Sequence, residues 1–225
     1  MRRSSRARRF ILRVSHAGFG ATLTLPEGSH RNAAEDFVRS NEVWLREKLS
    51  GQADRAIVEP GTSLPFRGSH VAIRHVPAPR GAVVLSDGVL EVPASQVDAV
   101  PKRTEVFFRE AARQEVADRV RHHGSTLGRE PSRIALRDPR SRWGSCTTDG
   151  RLMFSWRLIM APPDVLDYVV AHEVAHLREM NHSHRFWAIV ADLCPDYETH
   201  RRWLRENGSQ LHRYDFTHSG KNRRT

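Results

Sequence analysis

The stretch VVAHEVAHLREMNHSHRFW, residues 169–187, decides how this chain is read. It carries histidines at 172 and 176, a glutamate at 173, and two more histidines at 182 and 184. In a helix, residues four apart lie on one face, one turn from each other. His172 and His176 can therefore aim both imidazoles at a single ion. Glu173 is turned about 100° from His172 around the helix, which suits a group that meets a metal-bound water rather than the metal. With 13 histidines in 225 residues, chance supplies only about 0.05 matches to this HExxH pattern. The flanks sharpen the reading. Val165, Leu166, Val169, Val170 and Ala171 lead in and Leu177 follows, so a buried helix is expected, and burial makes ionisable groups costly unless they have a use.

A hydrolytic zinc needs a third protein ligand and an open position for water. His182 stands six residues after His176, the spacing of the second and third histidines in HExxHxxGxxH. Glu179 occupies the place of that pattern's glycine, so the chain must reverse by other means. Asn181 in the left-handed conformation that ends helices is the expected point. His184 competes for the third position, with Glu179 and Glu198 as carboxylate alternatives. Zinc held this way lowers the pKa of its water toward ~7, and a carboxylate such as Glu173 then takes the proton. Imidazole ligands also suit cobalt, nickel and iron.

Outward from this stretch the pattern is that of an α+β protein. RRFILRVS and GATLTLP flank an HAGF turn and predict a hairpin. NAAEDFVRSNEVWLREKL predicts one helix, with Phe37, Trp44, Leu45 and Leu49 near helical spacing. VAIRHV, AVVLS and VLEV are short β-rich runs separated by Pro, Gly and Asp-Gly signals. After a connector, VPASQVDAVP, the ladder Phe108, Ala112, Val116 and Val120 predicts a helix of about 20 residues. SRIALR and RLMFSWRLI are strand candidates around the polar segment DPRSRWGSCTTDG. Pro162 and Pro163 suit the first turn of the helix that carries the motif. Phe186, Val190 and Leu193 would pack the following helix beneath the metal, and Trp203 and Leu204 the last one. The expected division is a β-rich region with one helix over 1–98, a compact domain over 99–212, and a disordered basic tail over 213–225.

The two cysteines, Cys146 and Cys194, are too few for a disulfide framework and read as reduced thiols. No run approaches the roughly 18–20 apolar residues of a membrane helix. The start MRRSSRARRFILRV lacks the apolar core and cleavage site of a signal peptide, so a cytoplasmic address is expected. The formal charge of +10 sits at the two ends. Residues 1–9 hold five arginines and residues 221–225 a lysine and two arginines, and without these the remaining 28 basic and 26 acidic side chains nearly cancel. Solvated basic ends are the simplest account. Binding of nucleic acid through those ends is the alternative.

The polar segment around RWGSC is a candidate wall of the cleft. Arg142 and Arg157 are candidate contacts for the negative charge of a tetrahedral or phosphoryl intermediate, and an arginine tying a loop to a carboxylate is the plainer account. Cys146 is not needed as a nucleophile where a metal activates water. With Arg140, these arginines would also suit a nucleotide phosphohydrolase, which needs cationic clamps for its phosphates.

Together, RWGSC (142–146), WRLIMAPPDVLDYVVAHEVAHL (156–177) and MNHSHRFW (180–187) resemble the YgjP-like metallopeptidase-domain family, relatives of the SprT-like zincins. SSRARRFILRV (4–14) and WLREKL (44–49) extend the likeness to roughly residues 4–210. The resemblance implies a zincin-like domain whose HExxH helix packs on a short sheet. It further implies zinc bound by His172, His176 and His182, Glu173 as the base, and a peptide or protein substrate. The family's third histidine lies in NHS, which favours His182, whereas the second histidine of HSHRFW departs from the family pattern. SprT-like relatives act on DNA-bound proteins, so a peptidase guided by basic ends is a combined form of the two readings.

Overall fold

The computed structural model describes residues 1–14, 21–50 and 56–217, without the side chains of 47–50. Two compact units divide the chain, Met1–Arg55 and Ala56–Thr225. The sequence-based boundary at 98/99 falls inside the second.

In the first unit, β1 (Arg2–Ser4), β2 (Ile11–Val14) and β3 (Ala21–Pro26) form a sheet in the order β1-β3-β2. The antiparallel pair β2–β3 is the expected hairpin, and its HAGF turn lies outside the described residues. Part of the arginine-rich start is built in, because β1 runs parallel to β3. Alternation along β3 turns Leu23 and Leu25 inward against Ala34, with Phe10 meeting Phe37 edge-on at 5.4 Å. The single helix expected here is two, α1 (Arg31–Ser40) and α2 (Glu42–Ser50). Asn41 breaks it at φ −110° and ψ 16°, and its side-chain amide donates to the Phe37 carbonyl at 2.8 Å. A terminal carbonyl satisfied this way ends a helix. Trp44, counted toward an apolar face, remains 39% exposed.

The second unit opens with β4 (Ala56–Ile57), followed by β5 (Ser63–Phe66), β6 (Ser69–Val76), β7 (Val84–Ser86) and β8 (Val89–Pro93). The last four make one sheet in the order β5-β6-β8-β7. Asp87 and Gly88, both at positive φ, form the two-residue turn between β7 and β8, the hairpin connection that Asp-Gly favours. The connector is shorter than expected. Helix α3 (Val100–Leu127) takes in Val100 and Pro101 and runs for 28 residues. Its Phe108, Ala112, Val116 and Val120 are buried as the ladder predicts, in one core with Leu64, Phe66, Val71, Ile73, Leu90 and Val92. That shared core is why the strands before residue 98 belong with the helices after it.

A third sheet, β9 (Arg133–Arg137), β10 (Gly144–Cys146) and β11 (Arg151–Ser155), has the order β10-β11-β9. The polar segment thus contains a strand, and β10 lies antiparallel to β11 at the sheet's edge. The strand expected over RLMFSWRLI stops at Ser155, and Trp156–Met160 form a buried 3-10 turn. Helices α4 (Pro163–Ala175), α5 (His184–Leu193) and α6 (Tyr197–Asn207) follow. Pro163 sits in the first turn of α4, and α4 packs against α3, β10, β11, α5 and α6. The architecture is α+β, with the HExxH helix on a short sheet. Residues 213–217, assigned from sequence to a basic tail, are built into this unit. Tyr214–Asp215 form β12, parallel to β4, and Phe216 is buried against Phe108 and Trp156. The remaining tail, 218–225, lies outside the described residues. Among the described residues no helix is long and apolar enough to cross a membrane.

Charge fixes α4 on α3. Asp167 of α4 accepts from buried His123 at 2.8 Å and pairs with Arg119 at 3.0 Å. Arg119 also pairs with Glu115, which pairs with Arg67 of the β5–β6 turn. Burial would push the Asp167 carboxyl up, but the His123 hydrogen bond and the Arg119 guanidinium outweigh it and hold the carboxyl below its ordinary value. Asparagine here removes the charge that faces His123 and Arg119 and leaves Arg119 only its pair with Glu115. Asp167→Asn is therefore expected to cost about 1–3 kcal/mol at neutral pH, and urea unfolding of the two proteins checks it. A depressed carboxyl pKa adds stability above its unfolded value, so the difference should shrink as pH falls below the ordinary value of 3.8.

Candidate functional site

Helix α4 is the most buried helix of its unit, with Val170, Ala171, Val174 and Ala175 fully enclosed. It ends at the motif's second histidine. His176 is the C-cap, and Leu177, Arg178 and Glu179 close back on the carbonyls of Val174 and Ala175. This turn carries out the reversal that the sequence assigned to Asn181. Asn181 does not adopt positive φ; its side chain donates to the Glu179 carboxylate at 3.0 Å, and its carbonyl accepts from Ser183 N–H at 2.8 Å. Ser183 then caps α5, its hydroxyl accepting from Phe186 N–H. The short turn brings His182 back over the end of α4.

Among the described residues, His172, His176 and His182 are the group whose donor atoms come close enough to share a metal ion, all within 4.8 Å of one another. His172 Nε2 and His182 Nε2 face each other at 3.1 Å. Two imidazole nitrogens on a tetrahedral zinc stand roughly 3.3 Å apart. His176 Nδ1 donates to the Glu179 carbonyl at 3.0 Å, which leaves Nε2 to turn toward the other two rings. That carbonyl is what the residue in the glycine position supplies, the kind of partner that orients a ligating imidazole. His172 Nδ1, in contrast, is buried and has no hydrogen-bond partner among the described residues. Phe186 forms the floor, fully buried, stacked on His176 at 4.4 Å and edge-on to His172 and His182. Burial, and then the neighbouring His176, His182 and Arg201, drop His172 to about 3. Burial likewise lowers His176. Both rings are thus neutral, the form that has a lone pair to give. His184, Glu179 and Glu198 lie outside this group.

Glu173 is buried beside the triad at 6% exposure. Burial lifts its carboxyl to about 8, with Arg142 pulling the other way. Its neighbour is Gly144 of β10. A Cβ placed there would lie 2.5 Å from Glu173 Oε1 and 2.6 Å from Cγ. The glycine of RWGSC is therefore the gap into which the carboxylate fits. No signal along the chain links residues 144 and 173; the packing of α4 against β10 brings them together.

The two arginines singled out from sequence part company. Arg142 is exposed and close enough to act on the Glu173 carboxyl. Arg157 is buried and committed elsewhere. It makes a two-pronged pair with Asp138 at 2.7 and 3.1 Å and donates to the Leu211 and Tyr214 carbonyls. The plainer account of an arginine tying loops together holds for Arg157, so it supplies no clamp for a phosphate. Cys146 is kept a thiol, pushed up to about 11 by burial and by the carboxylates of Glu173 and Asp149. The sequence reading missed three residues at the rim. Tyr168 lies one turn before His172 with ring centroids 6.0 Å apart, a place its i, i+4 spacing announces. Trp187 stands 5.8 Å from His172 and 5.9 Å from His182. Arg201 of α6 lies over the Trp187 indole at 4.7 Å.

A family model for the YgjP-like metallopeptidase domain matches residues 8–207. The chain belongs to that family and is a metallopeptidase. No curated protein matches it. Among solved structures it is similar to the zymogen of abylysin, a metallopeptidase of Pyrococcus abyssi. That likeness has a TM-score of 0.37 and 20% identity, covering 40% of this chain and 93% of the other.

Two outcomes are expected from this geometry. Gly144→Ala must displace the Glu173 carboxylate, and misplacement of about 1 Å can cost on the order of 100-fold in rate. Hydrolytic turnover should fall by that order while metal content, read by plasma mass spectrometry, stays unchanged. The second concerns pH. A carboxyl raised from 4.5 to about 8 resists ionisation only in the folded state, so its contribution to stability is lost as pH rises across that interval. In chelator, Glu173→Gln should melt progressively higher than wild type between those limits, as differential scanning calorimetry will measure.

Proposed function

We propose that this protein is a zinc-dependent metallopeptidase, with His172, His176 and His182 as the metal ligands and Glu173 as the base. The observation that carries the reading is the convergence of three imidazole donors within 4.8 Å, beside a buried carboxylate. The donor set suits zinc, since neutral imidazoles on a closed floor with one open side match three protein ligands plus a position for water or substrate. Bound zinc would supply Lewis acidity toward a carbonyl oxygen and an acidified water.

The chain's own residues do the rest. Phe186 closes the site from below and removes solvent from the side opposite the substrate. Glu179 fixes the ring of His176 through its carbonyl. The Glu173 carboxylate, set beside Gly144, takes a proton from the attacking water and delivers it to the leaving amine. A carboxyl whose pKa is raised by burial lies nearer neutrality, where proton transfer in both directions is efficient. Arg142, close to that carboxylate, is the candidate to steady negative charge on the scissile carbonyl oxygen.

The test compares zinc-loaded wild type, Glu173→Gln and His182→Ala on a mixed peptide library with nucleoside triphosphates present, products being read by mass spectrometry. Wild type should yield peptide fragments. Glu173→Gln should retain its zinc and lose at least about 100-fold in turnover. His182→Ala should lose both metal and activity. Nucleotide products in place of peptide fragments would overturn the proposal.

A further inference from the structure

One charged group beside the triad has no role in this chemistry. Arg201 is exposed on α6, and its guanidinium carbon sits 4.7 Å from the Trp187 ring centroid. Tyr197, one turn earlier on α6, stacks on the same indole at 5.3 Å with the planes 21° apart. The Tyr197 hydroxyl is turned to Glu198, donating to its carboxylate at 3.3 Å. Among the described residues the Arg201 guanidinium has neither a hydrogen bond nor an ion pair, even though Glu198 is only three residues away. This distinguishes it from the protein's working structural arginines. Arg157 spends its donors on Asp138 and two carbonyls, and Arg119 on Glu115 and Asp167. A guanidinium stacked on an indole is held in orientation by its face while its edge N–H groups stay available. That edge is the fork which grips a carboxylate through two parallel hydrogen bonds.

The distance to the metal ligands limits what it can grip. Trp187 stands 5.8 Å from the His172 ring, so the guanidinium lies no more than about 11 Å from it, the reach of three extended peptide residues. Arg201 is also near enough to act on the charge of His172 and Tyr168. We propose that Arg201, carried on the Trp187 indole, binds a substrate carboxylate, and that the enzyme thereby selects peptides with an anionic group within three residues of the cleaved bond. This rests on the peptidase reading. The carboxylate has two sources, a peptide's own C-terminus or an Asp or Glu side chain. If Arg201 serves only to dock α6 against α5, its alkyl stem and the indole contact carry that role, and methionine in its place preserves the stem.

The experiment uses zinc-loaded wild type, Arg201→Met and Arg201→Lys. Each peptide of a library is made with a free or an amidated C-terminus, and with Asp and Glu or with Asn and Gln. Wild type should favour carboxylate-bearing peptides by about tenfold or more, the effect of one charge-assisted hydrogen-bonded pair. Arg201→Met should lower kcat/KM on those peptides about tenfold more than on their neutral counterparts, and Arg201→Lys should fall between. Sensitivity to amidation identifies the C-terminal carboxylate as the ligand, and sensitivity to Asn and Gln identifies the side chain. Equal losses on charged and neutral peptides overturn the proposal. Capture of the same library on immobilised, zinc-loaded Glu173→Gln, with and without Arg201→Met, reads recognition apart from turnover. If wild type cleaves nothing, the peptidase reading fails. Enrichment of carboxylates that depends on Arg201 still supports the anion site, and absence of that enrichment sinks it.

Discussion

Three imidazoles brought to a common point at the end of a buried helix are the constraint on which the rest of this molecule turns. His172 Nε2 and His182 Nε2 meet at 3.1 Å, close enough for one ring to donate to the other or for both to share a cation. Burial favours the neutral form of His172, which keeps a lone pair for that role. Keeping such an arrangement requires rigid supports on every side. Helix α4 supplies two of the rings from a fully buried stretch, the Leu177–Glu179 turn and the Ser183 cap return the third, and Phe186 lies under all of them. Binding of a cation by the assembled rings would stabilise the fold, since a ligand of the native state alone adds to its stability.

The catalytic side of the site depends on a second set of contacts. Glu173 can occupy its place only because β10 offers a glycine there, and β10 is set in turn by distant parts of the chain. Trp143, just before it, lies against Gly208, where a Cβ would come within 3.1 Å of the indole, and against His212 at 5.0 Å. Arg157 binds the same C-terminal segment to Asp138, at the start of the loop that leads into β10. The end of the chain therefore determines where the wall beside the glutamate stands. Arg157, which the sequence offered either as a contact for developing charge or as a tie to a carboxylate, acts as the tie that keeps this wall in register.

Electrostatics divides the arginines of the cleft by use. Arg157, inside the fold, spends its donors on Asp138 and two carbonyls, as burial of a charge demands. Those at the rim, Arg142 and Arg201, do not spend theirs on the fold. Arg142 acts on the Glu173 carboxyl and Arg201 is propped on an aromatic ring. Side chains that face solvent and ligand together tolerate this openness because water satisfies them until a substrate replaces it.

Much was legible in the residues alone wherever the cause was local. Helical periodicity announced α4 and the buried ladder of α3, Asp-Gly announced the β7–β8 turn, and the HExxH spacing placed two imidazoles on one helical face. Backbone geometry makes these relations certain within a few residues. Boundaries were less legible. A side-chain hydrogen bond at Asn41 split a helix, and a strand was cut short at Ser155 by the buried turn after it. What the linear pattern did not contain was anything requiring two distant segments to touch. The reversal after His176, the place of Gly144 under Glu173, the diversion of Arg157 to Asp138, and the incorporation of Phe216 into the core all arise from packing between elements. Sequence determined which groups this protein has for its chemistry. Tertiary structure decided which of them meet, because close packing lets a side chain occupy only the space that its neighbours leave.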